Sequence, residues 1–162
     1  MIPASFDYVK PTSVADAVAA LKAGGEDSKV LAGGQSLMPV LRLRLAAPSV
    51  LVDCSGLAEL QGISDTGDAV TVGAAVTHDA VMRSPVVMSG VPLLAKATAT
   101  VADPAIRHRG TLGGSLAHAD PAGDLPAVAR ALDASFTIAG ASGTRTVGAA
   151  DFFTDYFTTA VG

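Results

Sequence analysis

Residues 30–39 read VLAGGQSLMP, and the fold turns on how this stretch is understood. An apolar run ends in two glycines, an amide and a hydroxyl, and then apolar residues resume. Glycine tolerates positive φ and has no side chain to hold a ligand away, so backbone N–H groups can converge there. A concave array of N–H groups attracts anions. The N–H groups of Gly33, Gly34, Gln35 and Ser36 are candidates to line such a nest, with the Gln35 amide and the Ser36 hydroxyl as additional donors. A second stretch, GTLGGSLAHADPAGD from Gly110 to Asp124, repeats the pattern. Here the candidate donors are the N–H groups of Gly113, Gly114 and Ser115, with the Thr111 hydroxyl beside them. Two nests facing each other suit two adjacent phosphates, the pyrophosphate of a dinucleotide. Neither loop carries the lysine of a P-loop, and no G-x-G-x-x-G follows a strand in the manner of a Rossmann site.

The rest of the chain narrows the function classes. Its 162 residues suffice for one substantial domain or two small lobes sharing a core. Hydrophobic residues make up 49% and charged residues 16%, the balance of an ordered globular chain. The net charge of −4 and the lack of tryptophan disfavour a nucleic-acid binder, which needs cations for phosphates and aromatics for bases. A single compact dianion can still be held by backbone N–H groups. Cys54 is the only cysteine, so no cysteine-based cluster fits within this chain, and a buried place at a strand end is its expected role. No N-terminal signal pattern and no apolar run long enough to span a membrane are present, which points to a cytoplasmic protein.

Local patterns give an α+β order of elements. Ser13 with Asp16 forms a capping box for a helix over TSVADAVAALKAGG, and Gly24 stops it. SKVLAG and PSVLVDCS read as strands, and ISDTGDAVTV reads as a hairpin. Thr77 caps a short helix broken by Pro85, and residues 91–101 form a buried helix. Asp124 is a candidate N-cap for residues 125–133, a role compatible with accepting bonds from ligand hydroxyls. SFTIAGASGTRTVG closes a second hairpin. Four of the seven aromatic residues, Phe152, Phe153, Tyr156 and Phe157, cluster near the end and want burial, on this domain or against a further one. The expected division is two α+β lobes, residues 1–56 and 57–162, each giving one glycine loop.

Other chemistry is poorly supported. His78, His108 and His118 lack metal-ligand spacing, and IRHRG (106–110) reads as a small solvated basic cluster. Neither Ser36 nor Ser115 sits in a nucleophile-elbow context. If a reaction occurs here, a bound cofactor carries it.

AGGQSLMP followed by DPAIRHRGTLGGSLAHADPAGDLP resembles the FAD-binding medium subunit of the molybdenum hydroxylases, the family of carbon monoxide dehydrogenase and xanthine dehydrogenase. The resemblance runs over essentially the whole chain. It implies a two-lobed flavin-binding fold of the vanillyl-alcohol-oxidase (PCMH) type, with FAD between the lobes. Ala32, Gly33, Gly34, Gln35 and Ser36 would hold the pyrophosphate, with Val30 and Leu31 leading into the loop. Thr111, Gly113, Gly114 and Ser115 would form a second clamp, and Asp124 would bond the hydroxylated part of the cofactor. Val101 and Val161 stand where relatives place residues near the flavin. Ser115 occupies a position where many relatives have Asn or Asp.

The resemblance further implies electron transfer from a large molybdenum-binding subunit through [2Fe-2S] clusters on a small iron–sulfur subunit to this flavin. From there electrons pass to an acceptor such as a quinone, NAD or oxygen. The molybdenum cofactor and the clusters belong to the partners. The resemblance also implies a C-terminal α+β domain in relatives, expected to be absent from residues 1–162. Two other readings share the same residues: a stand-alone flavin-dependent reductase of this fold, and a structural module that keeps the fold without FAD.

Overall fold

A computed structural model describes residues 2–161. The chain opens with β1 (Asp7–Val9), α1 (Val14–Gly24), β2 (Ser28–Leu31), α2 (Leu37–Arg42) and β3 (Val50–Asp53). The three strands form a parallel sheet in the order β1-β3-β2. Central β3 is the most apolar, and Leu51 and Val52 are fully buried, as expected of a strand covered on both faces. Ser13 caps α1, its hydroxyl accepting from the Asp16 N–H at 3.0 Å, while the Asp16 carboxylate accepts from the Thr12 hydroxyl at 2.8 Å rather than completing the box. Helix α1 ends at Gly24, but the left-handed cap is Gly25 at φ 66°, whose N–H donates to the Leu21 carbonyl. Ala17 of α1 packs with Val52, Cys54 and Leu57 in a small core of its own.

The second part begins with the hairpin β4 (Ile63–Asp65) and β5 (Val70–Val72). Three helices follow: α3 (His78–Arg83), α4 (Pro85–Gly90) and α5 (Pro92–Ala99). Thr77 caps α3 by accepting from the Ala80 N–H, as its position in the sequence predicts. Pro85 ends α3 and also starts α4, because proline fits the first helical turn where no N–H partner is needed. The short α6 (Pro104–Arg107) leads to α7 (Leu112–His118) and α8 (Asp124–Ala131). Val76, Val81, Val87, Leu112, Leu116 and Leu125 bring these helices into one larger core. The hairpin β6 (Ser135–Gly140) and β7 (Gly143–Gly148) turns at Ala141 and Ser142, as expected.

The chain closes with α9 (Ala149–Phe152) and the small pair β8 (Phe153–Asp155) and β9 (Thr158–Thr159). Two of the terminal aromatics pack back onto this domain. Phe152 is buried with its ring 4.0 Å from that of Phe136, and Phe153 meets both rings edge-on. Tyr156 and Phe157 remain exposed. Among the described residues, no helix is long and apolar enough to cross a membrane.

Candidate functional site

Strand β2 delivers Val30 and Leu31 to the sheet edge, and the first glycine loop departs from there. The Cys54 N–H donates to the Leu31 carbonyl at 2.8 Å, so the loop leaves from a fixed point. Gly34 adopts φ 73°, which an L side chain rarely tolerates. The chain then enters α2, where the Met38 N–H donates to the Gly34 carbonyl at 2.9 Å. The Gln35 amide donates to the Gly33 carbonyl at 2.9 Å, so part of its donor capacity braces the loop itself. Ser36 stands at the N-cap of α2 with no side-chain capping bond, and it is exposed. Among the described residues, the N–H groups of Gly33, Gly34, Gln35 and Ser36 donate to no protein acceptor. The first loop therefore carries the four free donors expected of it.

The second loop is built differently from its sequence-based reading. Thr111 is the N-cap of α7, and its hydroxyl accepts from the Gly114 N–H at 3.1 Å. The Ser115 N–H donates to the Thr111 carbonyl at 3.0 Å, and the Gly113 N–H donates to the Ala74 carbonyl at 2.9 Å. All three expected donors are thus committed internally, and the second loop is no anion nest. The physical reason is the threonine: at a helix start its oxygen satisfies a first-turn N–H. Its glycines serve close approach instead. A Cβ on Gly113 would lie 2.6 Å from the Ala74 carbonyl oxygen. The Thr111 hydroxyl keeps its own proton to donate, since a hydroxyl can accept and donate together.

The two loops meet backbone to backbone. A Cβ on Gly33 would fall 2.1 Å from the Arg109 carbonyl oxygen and 2.7 Å from the Gly110 Cα. A Cβ on Gly114 would lie at an ordinary 3.7 Å from the Cβ of Ala32. Gly33 thus owes its identity to the second loop's carbonyl, a contact between distant residues that local sequence does not announce.

Behind this contact sits His78, which the sequence left as one of three unremarkable histidines. Its N–H donates to the Gly110 carbonyl at 2.9 Å, and its ring lies beneath Gly110. The side chain is buried, and among the described residues its Nδ1 and the Arg107 Nε are buried without a hydrogen-bond partner. Burial, reinforced by the Arg107 charge, holds the His78 pKa below its usual 6.5. The unfolded chain therefore takes up a proton at higher pH than the folded one, and stability falls as pH drops through that value. Thermal melts from about pH 7 to about pH 5 should show a steeper loss for the wild type than for His78→Gln. Parallel profiles would assign the acid sensitivity to other groups.

The remaining candidates occupy separate places. Val101 follows α5 and packs partly on the larger core, and its carbonyl accepts from the Arg107 guanidinium at 2.8 Å. Val161 follows β9 and is exposed. Asp124 is not the N-cap of α8: Gly123 holds that position, and Asp124 is the first helical residue. The turn before it is closed by Asp120, whose carboxylate accepts from the Ala122 N–H and whose carbonyl accepts from the Gly123 N–H. That arrangement leaves the Asp124 side chain exposed and without a capping role. Cys54 is buried as expected, and burial, together with nearby Asp53, pushes its thiol pKa up, so it is no nucleophile.

Two hollows open elsewhere on the surface. One of about 290 Å³ is lined by Asp120, Pro121, Phe153 and Tyr156, and one of about 490 Å³ lies between α1 and the β6–β7 hairpin. Neither includes a residue of 30–36 or 110–115. No group of three or more metal-ligating side chains exists among the described residues.

Known proteins resemble this chain over nearly all of its length. The family described as the FAD binding domain in molybdopterin dehydrogenase matches residues 4–162. The chain belongs to this family. A curated relative, the carbon monoxide dehydrogenase medium chain of Hydrogenophaga pseudoflava, is 46% identical over 153 residues, covering 94% of this chain and 53% of the relative. The nicotine 6-hydroxylase medium subunit of Paenarthrobacter nicotinovorans is 44% identical over 154 residues, covering 95% and 54%. Among solved structures, carbon monoxide dehydrogenase from Hydrogenophaga pseudoflava superposes with a TM-score of 0.98 at 44% identity, covering all of this chain and 56% of that one. Quinoline 2-oxidoreductase from Pseudomonas putida 86 gives 0.96 at 42% identity, with the same coverage. The mixed α and β fold is therefore shared with these two solved structures. The chain spans about half the length of the curated relatives it matches.

Proposed function

We propose that this chain binds FAD and serves as the flavin-carrying, electron-transferring part of a molybdenum hydroxylase. The observation that carries the reading is the set of four unpartnered N–H groups at Gly33–Ser36, in a chain of the FAD-binding family. Four successive donors with no protein acceptor suit a pyrophosphate, whose oxygens accept without bringing a proton. Around it, Val30, Leu31 and Ala32 line the approach. The hydroxyls of Ser36, Thr111 and Ser115 supply further bonds, while Gly113 and Gly114 keep the second loop close. Asp124, free of capping duty, accepts from the cofactor's ribose or ribityl hydroxyls. Val101 and Val161 provide apolar surface for the flavin ring. When bound, the flavin supplies one- and two-electron redox chemistry, and this chain orients it and limits its exposure to water.

On this reading the fold is of the vanillyl-alcohol-oxidase (PCMH) type. Residues 1–56 and 57–162 form its two lobes; two separate core clusters favour a division near this point, although Leu57 and Leu60 pack into the first cluster. Partners are a large molybdenum-binding subunit and a small iron–sulfur subunit carrying [2Fe-2S] clusters, in line with relatives named as the medium chain of a dehydrogenase and the medium subunit of a hydroxylase. A quinone, NAD or oxygen accepts the electrons, and the assembly works in the cytoplasm.

The test is a visible absorption spectrum of the purified protein with mass spectrometry of any released cofactor. FAD at one per chain is the expected result. A protein that stays colourless in excess FAD contradicts the reading and favours a structural module. Asp124→Ala separates the two roles weighed for that side chain. It should weaken FAD binding while changing unfolding free energy by less than about 1 kcal/mol, because only a helix-dipole contribution is lost. Unchanged affinity would remove Asp124 from the site.

A further inference from the structure

We infer that Arg109 supplies the positive charge for the cofactor's pyrophosphate, a role that the glycine loops themselves leave unfilled. The inference rests on the FAD reading above. A pyrophosphate within a dinucleotide carries two negative charges, whereas the N–H groups of Gly33–Ser36 offer only partial positive charge. With the second loop's donors committed to Ala74 and Thr111, no second nest shares the load. A side-chain cation near the first loop adds full charge to the partial charge that these N–H groups supply.

The basic residues around the second loop are mostly engaged. The Arg107 guanidinium turns inward and donates to the Val101 and Ala102 carbonyls at 2.8 and 3.0 Å. Arg83 pairs with Asp79 at 2.9 Å. His108 faces the same carboxylate through Nε2 at 3.6 Å, and its Nδ1 lies 2.7 Å from the Pro104 carbonyl. Arg109 differs on both counts that matter. Its side chain is exposed and forms no hydrogen bond or ion pair among the described residues. Its backbone carbonyl is the atom that Gly33 packs against, so the residue itself is anchored beside the start of the donor loop. An arginine so placed can offer paired N–H groups to phosphate oxygens.

Arg42 provides the control. It too is exposed, but it stands in the last turn of α2, where the helix carbonyls favour a cation without any ligand. FAD affinity of the deflavinated protein, purified with the subunits that accompany it, is measured at low and high ionic strength for the wild type, Arg109→Gln, Arg109→Lys and Arg42→Gln. The expected result is a roughly tenfold weakening for Arg109→Gln at low salt, the size of a lost charged hydrogen bond. That gap should narrow as salt screens the wild-type contact. Arg109→Lys recovers most of the affinity, and Arg42→Gln stays near the wild type. Melting temperatures of all four proteins confirm folding, with the lysine variant carrying the test should the glutamine variant melt early. Wild-type affinity in Arg109→Gln, or equal losses in the glutamine variants at 109 and 42, overturns the inference while leaving the FAD reading intact. A wild type that takes up no FAD overturns both.

Discussion

Gly33→Ala is expected to cost the protein its FAD and part of its stability together. The added Cβ would sit 2.1 Å from the Arg109 carbonyl oxygen, a main-chain atom that cannot rotate away. The loops must part, and the four donors of the first loop lose their alignment. Forcing a methyl into packed structure destabilises by about 1–3 kcal/mol. For a chain of this size that lowers Tm by roughly 2–12 °C. Gly148→Ala is the matched control, because a Cβ there meets nothing within 4 Å and its φ of −70° suits any residue. Full flavin content with an unchanged melt in Gly33→Ala would show that the two loops do not touch. The same experiment distinguishes two reasons for a glycine at this position. If a side chain merely blocked the phosphate, FAD would be lost with stability intact. The Arg109 contact requires both to fall.

Phe152→Ala should produce the largest loss of stability. Phe152 is buried in the helix that follows the β6–β7 hairpin, stacked against Phe136 at 4.0 Å and edge-on to Phe153 at 5.0 Å. Its neighbours are held by separate elements, so the space left behind does not close. Truncating a buried phenylalanine costs about 3–5 kcal/mol. Chemical denaturation reads that directly as a shift in midpoint at constant slope. Tyr156→Ser, four residues on and 74% exposed, should stay within about 0.5 kcal/mol of the wild type. Equal effects at the two positions would mean that the terminal aromatics do not divide as the structure places them.

These two residues also mark the limits of reading the fold from sequence. What is decided locally was legible: the Ser13 cap, the strands on either side of the first loop, both hairpins and the break at Pro85 all follow from nearby residues. Phe152 and its neighbours announced a wish for burial, but alternation cannot say which ring meets Phe136 and which faces outward. Asp124 missed by one residue, because Gly123 and the Asp120 turn set where α8 begins. The second glycine loop is the clearest failure. Its glycines look like those of the first, yet their N–H groups go to Ala74 and Thr111. Thr111 before a helix was a readable cap signal. The Ala74 carbonyl was not, since a main-chain acceptor carries no mark in the sequence. The same reason hid Arg109, whose backbone defines Gly33. Of the candidate site, the donor loop was therefore visible from residue chemistry, and the way the two loops lock together was not.

The claim on which the rest depends is that the free N–H groups at Gly33–Ser36 grip the cofactor while the second loop's N–H groups do not. Hydrogen–deuterium exchange of the protein with and without FAD tests it at peptide resolution. Peptides covering residues 32–36 should exchange quickly without FAD and become strongly protected with it. Peptides covering residues 112–116 should be protected already, because their donors are satisfied internally, and should change little. Protection appearing at the second loop, with the first loop unchanged, would contradict the assignment of the two loops.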